Sequence, residues 1–126
     1  MSNTDYNNEK SSIKIADDVV GVIAGLAATE VEGVAGMSGG IVGGIAEILG
    51  RKNLSKGVKV EVIEKEAKVD LYMIINYGVR IPDVAWNVQE NVKKAIENMT
   101  GLSVMEVNIH IQGVSFGPSA KEEDGK

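Results

Sequence analysis

The sequence predicts an α+β domain: a small mixed β-sheet with two main helices packed on one face, in the order β-α-β-(short α or flap)-β-β-α-β. Three observations carry this expectation. Val58, Val60 and Val62 alternate with Lys59 and Glu61, and Val69, Leu71, Met73 and Ile75 alternate with Asp70, Tyr72 and Asn76, the period-2 pattern of strands buried on one face. Between Pro82 and Met99, the residues Val84, Ala85, Val88, Val92, Ala95, Ile96 and Met99 recur at helical spacing opposite Glu90, Lys93 and Glu97. A further run from Asp18 to Val31 is apolar or small around most of its circumference, as suits a helix buried on more than one side.

At 126 residues the chain has room for one core rather than two. Residues 1–11 and 117–126 are polar and aperiodic, so they are expected to be disordered tails around a single domain spanning 12–116. With 44% hydrophobic but only 4% aromatic residues, the core must be built from Val, Ile, Leu, Met and Ala. The lack of cysteine excludes a disulfide framework, a thiolate metal site and a Cys nucleophile, and agrees with a reducing, cytoplasmic location. A net charge of -5 repels phosphate backbones, so nucleic-acid binding is not expected unless Arg51, Lys52 and Lys56 form a strong local patch. The first ten residues carry neither the basic nor the apolar region of an export signal.

Taken in order, Ile13 and Ile15 flank Lys14 as a short first strand, and Asp17 or Asp18 is placed to cap the helix that follows. That helix sets Val19, Val20, Val22, Ile23, Leu26 and Ala27 on an apolar arc and Gly21, Ala24, Gly25 and Ala28 on the remainder, which points to a close-packed neighbour inside the domain. Its apolar run is about ten residues against the ~20 needed to cross hydrocarbon, so no direct membrane span is expected. Gly33 ends the helix and Val34–Met37 is a brief strand. The segment from Ser38 to Gly50 places Ile41, Ile45 and Ile48 at helical spacing but also holds Gly39, Gly40, Gly43 and Gly44, so it is either a short amphipathic helix or a flap. Glu64-Lys-Glu-Ala67 turns the hairpin, Pro82 suits a first helical turn, and Gly101 stops the second long helix. In the last strand Val107, Ile109 and Ile111 face one way and Asn108, His110 and Gln112 the other.

The search for chemistry returns binding residues rather than a reaction centre. The glycine-rich segment matches neither Gly-x-Gly-x-x-Gly after a strand nor the phosphate loop ending in Gly-Lys-Ser/Thr. His110, the only histidine, has no cysteine to join in a metal cluster or nucleophilic pair, and reads as a hydrogen-bonding surface residue. Asp17 and Asp18 are adjacent rather than opposed across a cleft. No cofactor and no catalysis are expected. Trp86 falls about 140° from the centre of its helix's apolar stripe, and either folds over a neighbouring loop or anchors an interface. Together with Ile41, Ile45 and Ile48 of the glycine-rich segment, and with Tyr72 and His110 on the sheet's polar face, it makes up the expected partner-binding set.

Several local strings resemble, in order and spacing, the alkaline shock protein family, the small cytoplasmic envelope-stress proteins of Gram-positive bacteria. They are Val31-Glu-Gly-Val-Ala-Gly-Met37, Gly57-Val-Lys-Val60, the strand from Asp70-Leu-Tyr72 to Tyr77-Gly78, Ile81-Pro82 with Val84-Ala85 and Val88-Gln89, Thr100-Gly-Leu102, and Val107-Asn-Ile109 with Gln112-Gly-Val114. Ile81-Pro82 and Asn108-Ile-His-Ile111 look most like the branch associated with fatty-acid synthesis genes. The resemblance implies a non-catalytic protein-interaction module in envelope stress response or lipid homeostasis. Its partner would be a small membrane anchor protein or a lipid-synthesis enzyme, and control of acetyl-CoA carboxylase is the narrower alternative. The free sheet edges leave a homo-oligomer open as well.

Overall fold

The computed structural model describes residues 12–39 and 56–116. Its elements are α1 (Asp17–Thr29), β1 (Val34–Met37), β2 (Val58–Ile63), β3 (Glu66–Asn76), α2 (Ile81–Thr100) and β4 (Ser103–Ser115). The two expected tails and residues 40–55, including Ile41, Ile45 and Ile48, lie outside the described residues.

β3 is the central strand. β4 runs parallel to it along one side, from Glu66↔Ser103 to Asn76↔Ser115. Its other side is shared: β2 pairs antiparallel with it from Val58↔Leu71 to Ile63↔Glu66, and β1 pairs antiparallel with its far end from Val34↔Ile75 to Met37↔Met73. β1 and β2 are therefore two halves of one edge line, and they meet at Tyr72. The Ser38 amide donates to the Tyr72 carbonyl at 2.7 Å, and the Tyr72 amide donates to the Gly57 carbonyl at 2.8 Å. Ser38 directly follows β1 and Gly57 directly precedes β2, and their meeting at Tyr72 puts Gly57 under unusual constraint. Its φ is +77°, and a Cβ there would lie 2.7 Å from the Ser38 carbonyl oxygen and 2.8 Å from that of Tyr72.

Alternation along β3 turns Ala67, Val69, Leu71, Met73 and Ile75 to one face, where all are buried. Both helices cover that face, α1 with Val20, Ile23, Ala24, Ala27 and Ala28 and α2 with Val84, Val88, Val92 and Ile96. Parallel β3 and β4 need a crossover connection, and α2 supplies it. Pro82 sits in its first turn, and Gly101 closes it in the left-handed conformation with its amide on the Glu97 carbonyl. The Asn91 amide nitrogen Nδ2 donates to the Ala27 carbonyl at 2.8 Å and ties the two helices together. The mixed sheet with two helices on one face is thus as the sequence predicts.

Four expectations need correction. Residues 12–16 form no strand: Ile13 is 73% exposed while Ile15 packs against the core, because an alternation of three residues specifies no pairing partner. The N-cap of α1 is Ala16, which supplies no side-chain hydrogen bond, and Asp17 and Asp18 act from within the first turn, where their charge meets the positive end of the helix dipole. On α1 the buried side takes in Val20, Ile23 and Ala27 of the apolar arc together with Gly21, Ala24, Gly25 and Ala28, while Val19 and Leu26 of the arc are exposed. Met99 is 70% exposed. The buried positions of α2 follow strict four-residue steps, each advancing about 40° around the axis, so the ridge turns away from Met99 after Ile96.

Candidate partner-binding face

The sheet face opposite the helices is uncovered among the described residues. Period-2 alternation brings Lys68, Asp70, Tyr72, Ile74 and Asn76 of β3 to it, Lys59 and Glu61 of β2 beside them, and Glu106, Asn108 and His110 of β4 on the other side. Register decides which of these meet. Tyr72 is the Cα partner of His110, Asp70 that of both Asn108 and Lys59.

The result is a compact cluster at the middle of the sheet. The His110 and Tyr72 rings stack with centroids 4.3 Å apart and planes 9° from parallel. His110 Nε2 lies 3.2 Å from Asp70 Oδ1, an ion pair when the imidazole is protonated and otherwise a hydrogen bond donated by the ring nitrogen. Lys59 Nζ stands 5.6 Å from the centre of the Tyr72 ring, within the range of a cation–π contact. Toward one margin the Ser38 hydroxyl donates to Gln112 Oε1 at 3.2 Å, and toward the other Asn108 Nδ2 donates to Glu106 Oε1 at 3.3 Å. Ile74 crosses Gly113, where a Cβ would come within 3.0 Å of Ile74 Cδ1. Tyr72 is doubly fixed, because its backbone closes the junction of β1 and β2 while its ring carries the stack.

This arrangement offers a flat aromatic platform with a cation, a carboxylate and amide groups around it. Such a surface suits recognition by stacking and hydrogen bonding. His110 and Asp70 are joined to each other, and the Ser38 hydroxyl donates to Gln112 rather than to the imidazole. No group of three or more His, Asp or Glu residues suited to a metal ion occurs among the described residues.

Of the expected site residues, Tyr72 and His110 come together. Trp86 does not join them: it is 60% exposed on α2, in the helical layer on the far side of the sheet, and no described loop folds over it. Asp70 and Lys59 stand out in the sequence only as polar positions alternating with the apolar ones of their strands. The signal that places Asp70 beside His110 is its position two residues before Tyr72 on the same strand face, which becomes informative only once the β3–β4 register is known.

Fold and face together define a small α+β domain with one covered sheet face and one open, polar, aromatic-centred face. The family model for alkaline shock protein 23 and its relatives, described as having a cell envelope-related function, matches residues 5–116. The uncharacterized protein YqhY of Bacillus subtilis is 46% identical over 110 residues, which make up 87% of this chain and 82% of that one. A second Bacillus subtilis protein, YloU, is 40% identical over 104 residues, covering 81% of this chain and 87% of the other. A stress response regulator gls24 homolog of Streptococcus pyogenes is 31% identical over 96 residues, 75% of this chain and 54% of the regulator. The chain belongs to the alkaline shock protein family, to which its sequence motifs point. Among solved structures, the E289A variant of the MamM C-terminal domain overlays with a TM-score of 0.49 at 12% identity, covering 78% of this chain and 99% of that one, a likeness too remote to bear on the site. No described helix is long and apolar enough to cross a membrane.

Proposed function

We propose that the protein is a non-catalytic interaction module of cell-envelope homeostasis that receives a protein partner on its open sheet face, with the Tyr72–His110 stack as the central contact. The observation that carries this reading is the stack itself: two aromatic rings held rigid by strand register and by Asp70, half-exposed in the middle of a face that no described element covers. Rigid aromatic side chains lose little entropy on binding and are enriched at the centres of interfaces. The family's envelope-related description and the stress-regulator relative support the cellular setting. Within this reading the protein acts at the cytoplasmic side of the envelope through a small membrane anchor protein. The narrower alternative is control of acetyl-CoA carboxylase.

Affinity capture from the native cell tests the proposal, with circular dichroism to verify folding of each variant. The wild-type chain is expected to retain a defined envelope or lipid-synthesis partner that is lost with Tyr72→Ala and with His110→Ala. Equal recovery by both variants would remove the open face as the site, and the identity of the captured protein decides between an anchor and a carboxylase subunit.

A further inference from the structure

β4 is an edge strand of 13 residues, and its outer side is not uniformly protected. Tyr72 directs both of its backbone groups toward β1 and β2, so alternation directs those of Val69, Leu71 and Met73 toward β4. In the parallel register these engage the residues on either side of Val107, Ile109 and Ile111, whose own amides and carbonyls therefore point outward. Side chains of α2 cover the first part of this edge: Glu97 Oε2 accepts from the Val104 amide at 2.9 Å, and Gln89 Nε2 donates to the Val107 carbonyl at 3.0 Å. Beyond Val107 that cover ends. Ile109 and Ile111 present unpaired backbone groups among the described residues, and β4 contains no Lys, Arg or Pro to discourage another strand.

The sequence of this edge is nearly palindromic about Ile109. Folded back on itself antiparallel, Val104-Met-Glu-Val-Asn-Ile-His-Ile-Gln-Gly-Val114 sets Asn108 opposite His110, Val107 opposite Ile111, Glu106 opposite Gln112 and Val104 opposite Val114. Each of these pairs matches polar with polar or apolar with apolar, and the one charged residue, Glu106, never meets its own copy. The residues whose backbones point outward fall opposite one another, as a hydrogen-bonded antiparallel pair requires. The two register irregularities of β4, next to Met105 and Gln112, flank the centre, leaving the stretch from Glu106 to Ile111 regular.

We propose that β4 pairs with β4 of a second copy about a two-fold axis at Ile109, joining the two sheets into one. The axis stands perpendicular to the sheet, so both helical layers lie on the same side and both Tyr72–His110 clusters on the other. This accounts for Trp86. The contacts of Glu97 and Gln89 define a stripe of α2 that follows the edge of β4, and Trp86 is the next residue on it, about 4.5 Å further along the helix and close to the level of Ile109. Its exposed indole overhangs the join and packs against the second copy. The inference stands apart from the open-face reading, since it concerns the sheet edge and the helical layer.

Sedimentation of the full chain over a range of micromolar concentrations tests it, together with the emission of Trp86, the single tryptophan. A monomer–dimer equilibrium is expected, with emission moving to shorter wavelength as the dimer forms. Ile109→Pro removes an outward amide without removing a β3–β4 hydrogen bond, and is expected to yield a monomer. Gln112→Glu, facing Glu106 of the second copy at two symmetric positions, is expected to weaken the dimer up to about tenfold, and Gln112→Lys to tighten it. A chain that stays monomeric throughout, or a dimer indifferent to Ile109→Pro, overturns the proposal. Should Ile109→Pro fail to fold, the Gln112 variants decide: shifts in opposite directions support this register, and equal or absent shifts overturn it.

Discussion

The His110 ring lies almost parallel to the Tyr72 ring at 4.3 Å, although the two residues are far apart in the chain and occupy adjacent parallel strands. Two links act in series to produce this. The hydrophobic alternation of β3 and β4 sends both side chains to the face away from the helices, and the register of the parallel pair sets them side by side. Asp70, one strand step before Tyr72 on the same face, then holds the imidazole through Nε2.

The stack should appear as an energetic coupling. Tyr72→Leu and His110→Leu are each expected to destabilise the domain, and the double variant less than the sum, with a coupling of about 0.5–1 kcal/mol given the partial exposure of both rings. A double-mutant cycle by urea unfolding measures it. Full additivity would mean that the two rings merely lie near each other.

Gly57 is expected to be far less tolerant than Gly78, although both have positive φ. Gly57→Ala brings a Cβ against two backbone carbonyls at the junction of β1 and β2, whereas a Cβ at Gly78 meets nothing within 4 Å. Gly78→Ala should cost roughly 1–2 kcal/mol from backbone conformation alone, and Gly57→Ala should exceed it because sheet backbone must shift as well. Chemical denaturation of the two variants in parallel gives the comparison.

Along α2, Ile96→Ala is expected to cost about 2–5 kcal/mol, since it empties a fully buried position between helix and sheet. Met99→Ala, one turn on at an exposed position, should change stability by no more than about 0.5 kcal/mol. Thermal unfolding separates the two readily, and a large loss at Met99 would contradict the four-residue ridge described for this helix.

Glu64 opens the two-residue turn between β2 and β3 at φ 58°, a backbone conformation that glycine adopts without the strain a side chain brings. With positive φ at Glu64 and not at Lys65 the turn takes glycine best at its first position, so Glu64→Gly is expected to raise stability by about 0.5 kcal/mol, read as a higher urea midpoint at unchanged slope.

Much of this architecture is legible in the residues themselves. The valines of β2, the alternation of β3 and the stripe from Val84 to Ile96 each bury one face, and a period-2 or 3.6-residue pattern reports such burial directly. Gly101 and Pro82 bound α2 for reasons local to the chain. What stays hidden depends on contacts distant in sequence. No local pattern indicates that β1 and β2 continue one another across Tyr72, because that follows from hydrogen bonds among Ser38, Gly57 and a strand that comes later in the chain. Tyr72 and His110 can each be assigned to a polar face, but their stacking needs the β3–β4 register, and a one-residue slip would abolish it. The Ile13–Ile15 alternation fails for the complementary reason: it has the right period and too little length to fix a partner.

The open face as the partner surface is most directly tested by photo-crosslinking in the native cell. A photoreactive phenylalanine analogue is placed at Tyr72, at the centre of the stack, or at Lys93, exposed on the helical layer. The account predicts that position 72 yields a covalent adduct with an envelope or lipid-synthesis protein and that position 93 yields none with that protein. Adducts with that protein from position 93, with none from position 72, would place the partner on the helices and contradict the account.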